Sequence, residues 1–146
     1  MNRDSIRRFV REDLGCGCPE EVFDHVALAS RDASPDGPCH TRLLIGNRLL
    51  VYVMTATHGD DLAHDTGVLA ARGVAERDEA GYNRFRLVAV LEPGCPESSA
   101  ATAAFQRAVA GDDRATLHCL EAASIPSSLI PAGSAARTPT TGRRPA

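Results

Sequence analysis

Ile6, Phe9, Val10 and Leu14 recur at the spacing of one helical face. Asp4 or Ser5 can cap the first turn and Gly15 follows the last apolar position, so the chain is expected to open with a short helix over residues 4–14. In Cys16-Gly17-Cys18-Pro19-Glu20-Glu21 a proline followed by two acids has the grammar of a helix start, and a brief helix of about two turns is expected to run into Val22 and Phe23. His25 to Ala29 reads as extended. Ser30 to His40, rich in Asp, Pro and Gly, reads as a loop.

The clearest hairpin joins Thr41–Ile45 to Arg48–Thr55 through Gly46-Asn47, because a glycine leading a two-residue connection suits a primed turn. Leu49 to Met54 is apolar without alternation, the mark of a strand covered on both faces. A helix is expected from Asp60 to about Ala75, with Leu62, Thr66, Leu69 and Gly73 along one stripe. After Gly81, Arg84-Phe85-Arg86-Leu87 alternates and Val88 to Leu91 turns wholly apolar, which predicts a strand that enters half exposed and ends buried. Residues 97–110 form a further helix, with Ala101, Ala104, Phe105, Ala108 and Val109 inward and Gly111 at its stop, and Thr116 to Ala122 a last strand. The expected fold is therefore α/β: a small single-domain mixed sheet over residues 1–131, with an antiparallel hairpin, two strand-helix-strand units and helices packed on the sheet.

Composition narrows the chemistry. All 16 basic residues are arginine; without lysine there is neither a Schiff base to pyridoxal phosphate nor a P-loop lysine. The 19 acidic residues all lie before residue 132 with 13 arginines, so the body is acidic, and duplex nucleic acid is not an expected partner. Residues 132–146 are small and polar, carry Arg137, Arg143 and Arg144, and read as a disordered tail. The longest wholly apolar run, Leu49 to Met54, is far short of the roughly 20 residues a membrane helix needs, and the N-terminus leads into no apolar signal segment; a cytoplasmic protein with no membrane partner is expected.

The five cysteines, at 16, 18, 39, 95 and 119, are odd in number and form no CxxC pair, so a disulfide framework or thioredoxin-type motif is not indicated. Cys16 and Cys18 can share one soft metal ion, and Cys39-His40 supplies a further sulfur and nitrogen toward a tetrahedral zinc set, although adjacent residues converge only where the backbone turns. Gly-Cys-Pro-Glu occurs twice, at 17–20 and 94–97. Each copy stands before an expected helix whose N-terminus would favour thiolate, which adds Cys95 to the candidates. Cys119, on the last strand, reads as a small core residue.

Two further constellations stand out. His58, Asp61, His64 and Asp65 follow the central strand, with the last three on one helix face where they could hold a divalent cation or simply cap and solvate the helix. Arg77, Arg84 and Arg86 flank a polar turn and could grip an anion or pair with nearby acids. No GxSxG, HExxH or GxGxxG motif is present. The leading expectation is a thiol or metal site, holding zinc or another soft metal ion, for metal handling or redox sensing. The alternative is a noncatalytic module that binds a protein partner and whose cysteines are structural.

Overall fold

The computed structural model describes residues 3–15, 20–32, 37–56, 59–91 and 98–131, with the side chains at 56, 59–61 and 98 outside that description. It is the small mixed α/β domain that the hydrophobic pattern predicts. The first helix, α1 (Arg3–Arg8), runs on as a π-helical turn over Phe9–Asp13, and a 3-10 turn covers Glu20–Asp24. The strands are β1 (Val26–Arg31), β2 (His40–Ile45), β3 (Leu49–Ala56), β4 (Arg84–Leu91) and β5 (Ala115–Glu121). Helix α2 (Gly59–Ala80) links β3 to β4, and α3 (Ser98–Val109) links β4 to β5. The sheet order is β1-β2-β3-β4-β5; the first three strands are antiparallel neighbours and the last two join in parallel. The segment that reads as extended from His25 thus becomes a full edge strand.

The β2–β3 turn is built as its sequence requires. Gly46 and Asn47 sit at φ +61° and +55°, the left-handed pair of a type I′ turn, closed by Arg48 N–H donating to the Ile45 carbonyl at 3.0 Å. A Cβ at Gly46 would come within 2.7 Å of Val22 Cβ, so this glycine also lets the 3-10 turn lie against the hairpin. Central strand β3 separates two apolar layers. On one side Leu50, Met54, Leu87 and Ala89 meet Leu62, Leu69, Ala70, Ala101 and Phe105 from α2 and α3. On the other, Leu43, Ile45, Val51, Val53, Val88 and Val90 are covered by Ile6, Phe9, Val10 and Leu14 and by Ile125 and Leu129. No helix among the described residues is long and apolar enough to cross a membrane.

Helix α2 extends five residues beyond the Ala75 boundary expected from its apolar stripe, to Ala80. Its next inward positions are Glu76 and Arg77, charged residues that a hydrophobic pattern cannot credit but that find partners in the fold. Gly81, at φ +78°, ends the helix, and the N–H groups of Gly81 and Tyr82 both donate to the Arg77 carbonyl, at 2.9 and 3.0 Å. Near the middle of the helix, a Cβ on Gly73 would fall 2.1 Å from the Phe85 ring, so glycine sets the close approach of α2 to β4.

Candidate anion-binding cleft

The α2-facing side of the sheet is apolar under its centre and polar at the β1–β2 corner. Register accounts for the grouping: Arg31 pairs across strands with His40, and Arg42 with Tyr52, and paired residues share a face. Over this corner α2 lays Arg72, Ala75, Glu76 and Glu79, one stripe at helical spacing. Together with Arg31, His40 and Tyr52 they line a cleft of about 360 Å³.

Glu76 is the hub of the cleft wall. Arg42 donates to its Oε2 from Nε at 2.7 Å and pairs with it through Nη2 at 2.5 Å, while the Tyr52 hydroxyl donates to Oε1. Burial alone would raise the Glu76 carboxyl, but the bonds from Arg42 and Tyr52 outweigh it and hold the group below the ordinary carboxylate range. Burial and the bond to Glu76 push the Tyr52 phenol well above its usual value, so it remains a donor. Glu76, the acid sunk in the cleft among the described residues, is therefore already neutralised by its neighbours.

His40 is 2% exposed and lies against Tyr52, ring centroids 4.6 Å apart. Its Nδ1 stands 3.1 Å from the Pro38 carbonyl, which can only accept, so Nδ1 carries the proton and Nε2 a lone pair. Burial lowers the imidazole's pKa and Arg72 and Arg31 push it the same way, against the opposing pull of Pro38 and Glu76; the ring is neutral at neutral pH. Arg31 and Arg72 are exposed at the mouth, and neither forms an ion pair with a described residue. Glu79, also exposed, is the remaining charge at the rim.

The candidates raised by the sequence are placed differently. Cys16, Cys18, Cys95 and His58 lie outside the described residues, as does the side chain of Asp61. Cys39 is a free, half-buried thiol next to His40, whose ring is engaged by Pro38 and Tyr52; Cys119 is half-buried and packs at the margin of the α2–α3 core. No group of three or more His, Cys, Asp or Glu that could hold a metal is found among the described residues. His64 is exposed on a shallow groove between α2 and α3, and Asp65 is half-buried on the same helix.

The three arginines proposed as an anion grip are not brought together. Arg77 lies on α2, 1% exposed, and pairs with Asp78 at 2.9 Å and with Asp112. Arg84 and Arg86 alternate with Phe85 and Leu87, which face α2, and so occupy the opposite side of β4. Arg86 Nη1 donates to His118 Nε2 at 2.9 Å; burial and the Arg86 charge lower the His118 imidazole to about 4.

The polar lining residues that the sequence does not single out as a site are Arg31, Tyr52, Arg72, Glu76 and Glu79, with Arg42 bound to Glu76 behind them, and none of these forms a local motif. One signal was available: the Gly46-Asn47 turn fixes the register that sets Arg42 opposite Tyr52, and a tyrosine inside an apolar strand needs a partner for its hydroxyl. No family model, curated protein or solved structure matches this chain.

Proposed function

We propose that this protein binds a small organic anion, with the carboxylate or phosphate group of the ligand held between Arg31 and Arg72 over the His40–Tyr52 floor. The observation that carries this reading is the charge balance of the cleft. Its sunken acid, Glu76, is saturated by Arg42 and Tyr52, whereas the two arginines at its mouth form no ion pair with a described residue. Guanidinium groups present forked donors that match carboxylate and phosphate oxygens. Calorimetric titration with citrate and inorganic phosphate should give saturable binding to at least one of them, and Arg31→Ala with Arg72→Ala should weaken it by about tenfold or more. Absence of saturable binding to both, or binding indifferent to the double substitution, overturns the reading.

A thiol or soft-metal role for Cys16, Cys18 and Cys95, with Cys39 and His40 able to join them, is a second reading for a protein of the reducing cytoplasm. It is supported by the free, half-buried Cys39 beside the cleft. Elemental analysis of anaerobically purified protein tests it. Stoichiometric zinc, copper or iron that disappears in Cys16→Ser/Cys18→Ser supports the site; metal-free protein with inert thiols removes it.

A further inference from the structure

We infer that the anion bound in this cleft is a hydroxy acid, whose hydroxyl donates a hydrogen bond to His40 Nε2 while its anionic group meets Arg31 and Arg72. The inference rests on the anion-binding reading and adds the identity of a second recognition element. Nδ1 of His40 is committed to the Pro38 carbonyl, leaving Nε2 as an acceptor. His40 lines the cleft, and with Nδ1 turned to Pro38 its Nε2 is the ring atom left to meet a ligand there.

An acceptor placed beside two cations selects the donor it will take. With Arg42 and Glu76 cancelling each other, the described lining holds Arg31 and Arg72 against Glu79 at the rim, a net positive set that repels a ligand ammonium and admits a neutral hydroxyl. The adjacency of His40 to Arg31 across the β1–β2 ladder places acceptor and cation next to each other, as hydroxyl and carboxylate are on a hydroxy acid.

Malate and succinate carry the same two carboxylates and differ by one hydroxyl, so their titration against the full chain isolates this contact. Malate is expected to bind roughly tenfold more tightly than succinate, and His40→Phe to bring the ratio of the two affinities close to one. In nitrogen-15 spectra of the unsubstituted protein, the His40 Nε2 resonance should move with malate and stay with succinate, a readout that stands even if the variant does not fold. Equal affinities for the two acids overturn the hydroxyl contact and leave the anion-binding reading intact. A malate preference that leaves Nε2 unmoved removes His40 from the contact. Failure of both acids to bind, together with citrate and phosphate, defeats the anion-binding reading itself.

Discussion

Glu76 and Arg77 are neighbours on α2, yet they serve charge clusters built on different terms. Arg77 turns toward the segment before β5 and is sealed: its side chain is 2% exposed, and two carboxylates, Asp78 and Asp112, answer its one charge. Glu76 turns toward the β2–β3 corner, where Arg42 and Tyr52 answer it and two more arginines, at the open mouth of the cleft, form no ion pair with a described residue. A cation withdrawn from water must find its counter-charge within the fold, because an uncompensated buried charge costs several kcal/mol. A cation at a solvated mouth carries no such obligation and is free to meet an anion from outside. The sealed cluster is therefore architecture, and the open one is where a ligand can be recognised.

That contrast makes its strongest demand at Asp112. Asp112→Ala should lower unfolding free energy by about 3 kcal/mol, since it strips the sealed arginine of a partner. Chemical denaturation checks this, and a loss below about 1 kcal/mol would mean the Arg77 cluster is better solvated than its burial indicates. Glu76→Gln should cost less, about 2 kcal/mol, because Arg42 and the cleft retain water. Unlike the Asp112 change it should also tighten anion binding, as Arg42 loses its carboxylate; unchanged or weaker binding would separate Arg42 from the cleft's field.

A pH-dependent effect is expected from the histidines. In the unfolded chain His118 takes up a proton below pH 6.5, whereas the folded group stays neutral down to about 4. Between those values the unfolded state binds more protons, so stability should climb as pH rises toward 6.5 and level off above it. His40, also lowered, acts in the same direction. Glu76 and Asp112, whose folded carboxyls are held low, add a loss only below about pH 4.5, so the interval from 4.5 to 6.5 isolates the imidazoles. His118→Gln should reduce the slope over that interval in pH-dependent thermal melts, leaving the part that His40 contributes. Least of all, Arg31→Ala and Arg72→Ala should each leave stability within about 0.5 kcal/mol while weakening the anion. Substantial destabilisation by either would place it with the sealed cluster.

The fold was legible where period and turn chemistry agree. The apolar run of β3, the Gly46-Asn47 turn and the helical spacing of Ala101, Ala104, Phe105 and Val109 each fix local structure through nearest neighbours. The cleft was not legible, because its residues come from three strands and a helix and meet only through cross-strand register. Its inward charges also run against the pattern that identifies interiors, which is why the expected end of α2 stopped before Glu76. Arg77, Arg84 and Arg86 show the converse: close in sequence, they are divided by the plane of the sheet.

The order β1-β2-β3-β4-β5 repeats the order of synthesis. Each strand docks on the one translated just before it, so no pairing waits across a long closed loop for a late partner, and the entropy of loop closure stays small at every step. The cleft shares this economy: its described lining lies between residues 31 and 79, ahead of β4 and β5. During translation, these residues are out before the strands that complete the sheet. The cleft is thus encoded by one contiguous passage of the chain, which a single exchange of that passage would carry or replace as a unit.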